Sequence, residues 1–306
     1  LTSRVIENGG TTSDSVLAVV EEKPELLRTL PSFYNIQIVD GCPQTCFFCP
    51  YPLFGGDILN RHGEMPVERF ASICDAIRRF SDDAVVSLSL WGEPSFHSDI
   101  VSLVEKVSEQ RTLSLIIETT GIGWKEETLR EIREKAPREL DWIVSLDADD
   151  PQLYQELRGE GQEEALQTVE LLFTLFPNHV YLQAVRMEQN EENLETFYRK
   201  WKERTDTIII QKYDYFADFL PQRKVTDLSP IKRFPCRHNQ RDMVIRMDGT
   251  VPLCREDVNN KHVLGNIFND DIEQLWNRGE SVFKEHIREQ YNDLCARCDE
   301  YYTFNF

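Results

Sequence analysis

The rhythm of apolar and polar positions changes twice along the chain and divides it in three. Residues 1–32 are polar at first and then carry a helical stretch, Ser15 to Leu30, interrupted by Pro24; this reads as an N-terminal extension or linker. From residue 33 short Val- and Ile-rich runs set in: Tyr34–Asp40, Val85–Leu90, Leu113–Glu118, Trp142–Asp147, Val180–Val185 and Thr207–Gln211. Their length and bounding turn residues predict buried strands. Between them, apolar residues recur at helical spacing over 66–80, 97–109, 125–135, 162–176 and 190–204. Pro66 suits the opening turn of the first, where no backbone N–H is needed. Strands alternating with helices imply an α/β fold with a parallel sheet and right-handed crossovers. Six such units make an open, partial (β/α)6 TIM-like barrel, and chemistry in such sheets gathers at the carboxyl ends of the strands.

After about residue 220 the alternation stops. Asp242–Cys254 reads as a hairpin turning at Asp248-Gly249, and helical patterns follow near 270–278 and 280–291. The expectation is a barrel over residues 33–220 and a small α+β domain over 221–306. The second is too short to hold much core of its own, and its four cysteines suggest that a bound cofactor staples it.

Charge narrows the partners. With 53 acidic against 34 basic side chains the 306-residue chain carries −19, a field that repels phosphate backbones, so no nucleic-acid partner is expected. One local basic group, Arg223, Lys224, Lys232, Arg233, Arg237, His238 and Arg241, reads as solvated surface or as counter-charge for an anionic group rather than as a site for an anionic substrate. No run of 18 apolar residues suggests a membrane span. No basic-then-apolar leader is found, and the chain opens on Leu1 rather than Met, which leaves an upstream segment open. The eight cysteines are grouped as metal ligands are, which points to a reducing, cytoplasmic setting. Cys74, alone in a helical pattern, reads as a small buried hydrophobe.

Cys42-Pro-Gln-Thr-Cys46-Phe-Phe-Cys49 places three thiols within eight residues, directly after the first strand. Three thiolates on a four-iron cubane leave one iron open to a small molecule, whereas structural zinc wants four closed ligands. This C-x3-C-x2-C spacing resembles the signature of the radical S-adenosylmethionine superfamily, and the likeness extends over roughly residues 33–215. It implies a [4Fe–4S] cluster on Cys42, Cys46 and Cys49. That cluster would reductively cleave S-adenosylmethionine to a 5′-deoxyadenosyl radical, which abstracts hydrogen from a substrate. Leu90-Trp91-Gly92-Glu93-Pro94 resembles the family's Gly-Gly-Glu motif with Trp91 in place of the first glycine, and implies that Gly92 and Glu93 hold the methionine ammonium. Phe48 stands where an aromatic ring lies near adenine. Thr119-Thr-Gly121 is similar to a Thr-Asn-Gly motif. Ser145-Leu-Asp147, with Arg158-Gly159 downstream, implies Ser145 at the ribose or carboxylate, assisted by Arg158.

Cys236, Cys254, Cys295 and Cys298 form a second group, and by spacing alone it is either a zinc ribbon or a fully ligated iron–sulfur site. The segments Met247–Cys254 and Leu264–Trp276 resemble the C-terminal extension called SPASM, here with four cysteines as in its abbreviated "twitch" form. The C-x17-C and closing C-x2-C resemble an alcohol-oxidising enzyme of aminoglycoside biosynthesis, and the whole chain is similar to the spiro-SPASM subgroup. The resemblance implies one auxiliary [4Fe–4S] cluster that accepts an electron. It further implies an oxidation or cross-link of a peptide or small polyol, and a reducing donor such as flavodoxin or ferredoxin. Removing a proton from the substrate radical needs a base near the barrel mouth; Lys212, Tyr213 and Asp214 after the sixth strand and Arg186 after the fifth are candidates. Two other classes remain open. A non-catalytic iron–sulfur electron carrier has no need of Glu93 and Ser145, and a zinc-stabilised binding protein has no use for the three-cysteine loop.

Overall fold

Six Val- and Ile-rich runs become six neighbouring parallel strands in the computed structural model, which describes residues 29–60, 63–81, 83–137, 140–226 and 229–303. The helix expected over Ser15–Leu30 lies, but for its last two residues, outside them. The strands are β1 (Phe33–Ile36), β2 (Val39–Asp40), β3 (Gly63–Glu64), β4 (Ala84–Leu88), β5 (Leu113–Thr119), β6 (Leu140–Ser145), β7 (Val180–Arg186) and β8 (Ile208–Lys212). The helices interleaved with them are α1 (Tyr51–Phe54), α2 (Val67–Phe80), α3 (Ile100–Ser108), α4 (Glu126–Lys135), α5 (Pro151–Arg158), α6 (Gln162–Leu175) and α7 (Glu191–Lys202). The C-terminal part adds α8 (Arg237–Arg241), β9 (Asp242–Ile245), β10 (Thr250–Pro252), β11 (Val263–Asn266), α9 (Ile272–Arg278), α10 (Glu280–Ile287) and α11 (Asp293–Arg297).

The main sheet runs β8-β7-β6-β5-β4-β1-β9. Two expectations are corrected in it. The run Tyr34–Asp40 is not one strand: the Gln37 amide turns to the carbonyl of Ile245 at 2.9 Å, and Val39–Asp40 pairs antiparallel with β3. Residues 242–254 do turn at Asp248-Gly249, where the Gly249 amide bonds the Arg246 carbonyl at 2.8 Å, but the two arms are not paired along their length. β9 lies parallel to β1, with Phe33 opposite Asp242 and Ile36 opposite Ile245, whereas β10 pairs antiparallel with β11. The small domain therefore contributes a seventh strand and covers the edge that β1 would otherwise leave open. Helix α5 was not foreseen. It is only 8 residues long, opens on Pro151, and is capped by the Asp150 carboxylate, which accepts the Leu153 amide at 2.8 Å.

The pleat decides what fills the barrel. In each core strand an apolar side chain lies in the lower lumen: Phe33, Val85, Ile116, Ile143, Tyr181 and Ile209 form one cluster. Two residues further on, toward the carboxyl end, every strand turns polar: Asn35, Ser87, Glu118, Ser145, Gln183 and Gln211 line the space above it. A period of two puts n and n+2 on one face, so six strands in similar phase make an apolar floor under a polar ring.

Outside the sheet the helices bury their apolar faces, among them Phe70, Ile73, Cys74 and Ile77 of α2; Cys74 is fully buried, as expected of a small hydrophobe. Ile245, Val251, Ile272, Leu275 and Trp276 of the small domain belong to the same apolar cluster as the barrel. No helix among the described residues is long and apolar enough to cross a membrane. Because Ile245 is fully buried in a strand of the main sheet, Ile245→Ala should cost about 2–5 kcal/mol. In urea, tryptophan fluorescence and secondary-structure signal should be lost together in one transition at lower denaturant. Separate unfolding of the small domain, with the barrel transition unmoved, would contradict the shared core.

Candidate functional site

At the carboxyl end of the sheet one cleft is lined by Cys42, Cys46, Phe48, Cys49, Gly92, Glu93, Ser145 and Arg158, the eight residues singled out in the barrel region. They arrive from three strand ends and α5, and local chemistry fixes each. The Cys46–Cys49 turn closes with the Cys49 amide on the Cys46 carbonyl at 3.1 Å, and the Cys42 amide bonds Ile58 at 2.9 Å. Gln44 ties the loop to α5: its amide nitrogen donates to the Tyr154 hydroxyl at 2.8 Å, and its oxygen accepts Arg158 Nε at 2.9 Å.

After β4 the chain bends sharply. Leu90 has φ +68° and Gly92 φ +88°, and a Cβ on Gly92 would lie 2.4 Å from the Val39 carbonyl, so only glycine fits that contact. Leu90 has no such excuse: a bulky residue in the left-handed region is held there by its surroundings. The bend delivers Glu93, which is 1% exposed. Its carboxylate accepts the Thr119 hydroxyl at 2.5 Å, the Thr120 amide at 2.7 Å and the Ser95 amide at 3.3 Å. Burial pushes its pKa up, and these three donors pull it back. The Thr119-Thr-Gly121 turn thus holds Glu93 in place.

Ser145 Oγ accepts from Gln183 at 3.3 Å, and Gln183 also donates to Glu118 at 3.0 Å. Arg158, 4% exposed, is ion-paired through Nη1 to the Asp147 carboxylate and lies 5.9 Å from the Phe48 ring centroid. Asp147, at φ +63°, also accepts the Val185 amide at 2.6 Å. Of the candidate bases, Lys212 and Asp214 line the cleft. Arg186 pairs outward with Glu191, and Tyr213 turns away to donate to the Pro221 carbonyl at 2.7 Å.

Cys236, Cys254, Cys295 and Cys298 line a second cavity. Both cysteine groups are chemically frustrated as they stand. Burial, then the charge of neighbouring thiols, pushes Cys49 up to about 12; burial raises Cys236 to about 12 and Cys295 to about 11. Such thiols become thiolates only beside concentrated positive charge, which an iron–sulfur core supplies. The residues therefore fit clusters of three and of four cysteine ligands.

The basic group of the sequence is taken up here. Arg233 lies between the rings of Tyr291 and Tyr301, 4.1 and 4.5 Å from their centroids, and Arg223 sits 4.7 Å from that of Phe47 in the cysteine loop. Lys224 pairs with Asp299 at 3.3 Å and His238 with Asp242 at 2.6 Å.

Residues not anticipated from the sequence connect the two cavities. Arg255, next to Cys254, lines the cleft, the lumen below it and the second cavity. It pairs with Asp214 at 2.7 Å and Glu256 at 3.1 Å. Burial, then the charge of Asp214, pushes the Glu256 carboxyl well above the usual carboxylate range. Lys212 pairs with Glu300 and with Asp299. One signal for the polar ring was present: Glu118, Gln183 and Gln211 are polar residues inside apolar strands.

Comparison with known proteins agrees with this geometry. Residues 36–200 match the radical SAM superfamily, and residues 236–299 match SPASM, an iron–sulfur cluster-binding domain. An uncharacterized protein of Treponema pallidum (strain Nichols) is 37% identical over 96% of this chain and 85% of its own. The S-adenosyl-L-methionine-dependent 2-deoxy-scyllo-inosamine dehydrogenase of Niallia circulans is 21% identical over 88% of this chain and 92% of its own. Streptococcus suis SuiB bound to precursor peptide SuiA shares the fold with TM-score 0.67 at 16% identity, covering 90% of this chain and 72% of SuiB. With the family match spanning more than half its length and the cysteine loop, Glu93 and Ser145 gathered in one cleft, the chain belongs to the radical SAM superfamily and carries a C-terminal SPASM domain.

Proposed function

We propose that the protein is a radical oxidase of a small, hydrogen-bonding substrate of the polyol class, with Cys42, Cys46 and Cys49 holding the S-adenosylmethionine-cleaving cluster and Cys236, Cys254, Cys295 and Cys298 an auxiliary one. The observation that carries this reading is Arg255, whose side chain borders both the cleft and the auxiliary cavity, so that a molecule in the cleft lies beside both centres. When bound, the first cluster and S-adenosylmethionine supply the 5′-deoxyadenosyl radical that removes a hydrogen atom, and the second supplies the acceptor for the electron left behind.

The chain's own residues do the rest. Glu93 presents a buried carboxylate to the methionine ammonium, with its orientation fixed by Thr119 and Thr120. Phe48 offers a ring to adenine, Ser145 a hydroxyl, and Arg158 keeps the cysteine loop seated on α5 through Gln44. The polar ring of Asn35, Glu118, Gln183 and Gln211 supplies donors and acceptors to hydroxyl groups of a substrate. Oxidising an alcohol carbon leaves one proton to remove. Asp214, in the cleft and oriented by Arg255, is placed to take it at its carboxylate. The Niallia circulans dehydrogenase, whose name specifies a small inosamine, favours this class over a peptide such as the one in the SuiB complex.

Anaerobic reconstitution tests the two centres. The wild type should bind about eight irons, two cubanes' worth, and release 5′-deoxyadenosine on reduction. Cys42→Ala/Cys46→Ala/Cys49→Ala should keep about half the iron and release none; nucleoside release by that variant would end this reading. Glu93→Gln should weaken S-adenosylmethionine binding about tenfold or more, the loss of a charge-assisted contact of about 1.5–3 kcal/mol; an unchanged Kd removes Glu93 from the site. Incubation with panels of cyclitols and of peptides should raise 5′-deoxyadenosine formation only with the former. Asp214→Asn should then lower product formation by about a hundredfold while background cleavage of S-adenosylmethionine persists. Stimulation by peptides alone would overturn the substrate class.

A further inference from the structure

In the wall of the auxiliary cavity, His286 Nε2 and Arg233 Nε are buried and meet no acceptor among the described residues. His286 is 2% exposed, and its Nδ1 accepts the backbone amide of Cys236 at 3.4 Å. In the neutral ring the proton must then sit on Nε2. That Nε2–H is enclosed and meets no acceptor among the described residues. Arg233 repeats the arrangement. Its guanidinium is clamped between Tyr291 and Tyr301 and gives one Nη2–H to the carbonyl of Cys295 at 2.6 Å, while its Nε–H is enclosed and meets no acceptor among the described residues.

A buried donor left unmade costs about 1–3 kcal/mol, so two at one wall call for a common acceptor. Each is also anchored to the backbone of a cysteine ligand, His286 to Cys236 and Arg233 to Cys295, which fixes its direction relative to the thiols. Two polar neighbours in the same wall differ. His238 uses both ring nitrogens, on Asp242 and on Thr303, and Glu256 leaves an oxygen rather than an N–H unpaired. The acceptors that a cluster brings to this cavity are thiolate and sulfide sulfurs. Hydrogen bonds to those sulfurs stabilise the more negative, reduced state and are among the determinants of reduction potential.

We propose that His286 Nε2 and Arg233 Nε donate hydrogen bonds to sulfur atoms of the auxiliary cluster and thereby raise its reduction potential. They are positioning residues for the electron acceptor and touch no substrate. The inference rests on the reading of Cys236, Cys254, Cys295 and Cys298 as ligands of that cluster.

The test uses the full chain carrying Cys42→Ala/Cys46→Ala/Cys49→Ala, so that only the auxiliary cluster contributes to the spectrum. Iron and sulfide content and the reduced-state EPR signal are measured first; their absence would overturn the ligand assignment itself. With the cluster present, His286→Asn retains an acceptor for the Cys236 amide but has no Nε2–H, and Arg233→Lys keeps the charge but has no Nε–H. Each should lower the reduced-to-oxidised ratio about tenfold at fixed potential in an EPR-monitored redox titration, equivalent to about 59 mV for a one-electron couple. Changes below twofold in both variants, with cluster content unchanged, would overturn the proposal. A measurement without either variant keeps it testable if they load poorly. Pulsed EPR of the reduced cluster, in protein labelled with 15N-histidine and exchanged into D2O, should show a ring-nitrogen coupling together with exchangeable deuterons. No 15N coupling would likewise overturn the His286 contact.

Discussion

A parallel strand must alternate its side chains, and the arrangement of the site depends on that constraint. Once β1 and β4 to β8 lie side by side, Asn35, Ser87, Glu118, Ser145, Gln183 and Gln211 have no choice but to share the lumen, because the apolar residue two positions earlier in each strand already does. The apolar floor fills the lower lumen. The polar ring above it stays open to the cleft, and the loops that follow each strand can reach over it. The cysteine loop, the Glu93 bend and the Ser145–Asp147 turn are three such loops, leaving β2, β4 and β6.

The loops must also be held against each other, and a buried ion pair does this. Arg158 reaches from α5 to Asp147 at the end of β6 and to Gln44 inside the cysteine loop, while Asp147 binds the amide of Val185 on β7. A pair this deeply buried contributes little net stability, since removing two charges from water costs about what their attraction returns. Its value is positional. Breaking it would leave a charge without a partner between loop and barrel; burial pushes the Cys46 thiol up, and the same guanidinium pulls it part of the way back.

Much of this was legible from local signals. C-x3-C-x2-C lies within eight residues, and the Gly92-Glu93 bend and the Ser145–Asp147 turn each sit directly after a recognisable strand. The errors came where partners are remote. Asp248-Gly249 announces a turn but not a ladder partner, and β9 takes its partner from Phe33–Ile36, some 200 residues earlier in the chain. The polar ring left a trace in six strands, but its alignment depends on register, which no single strand contains. Arg255, Glu256, Glu300 and His286 gave no pattern at all: each acquires its role from a contact with a distant element, as Arg255 does with Asp214 and Cys236 does with His286.

The seventh strand explains why the two centres can be neighbours. A SPASM domain joined only by a linker would be free to sit at many distances from the barrel. Here β9 is hydrogen-bonded to β1, and α8, which leads into β9, begins immediately after Cys236. The turn after β9 carries the chain to β10, whose end presents Cys254 and then Arg255. Two of the four auxiliary cysteines are thus placed by the same ladder that shapes the cleft, and Arg255 lies where the two cavities meet. The charged groups packed there are paired, Arg255 with Asp214 and Glu256, Lys212 with Glu300 and Asp299. These paired, largely buried groups form the wall between the cleft and the auxiliary cavity. The sheet thereby sets the separation of the centres, and the paired charges fill the wall between them.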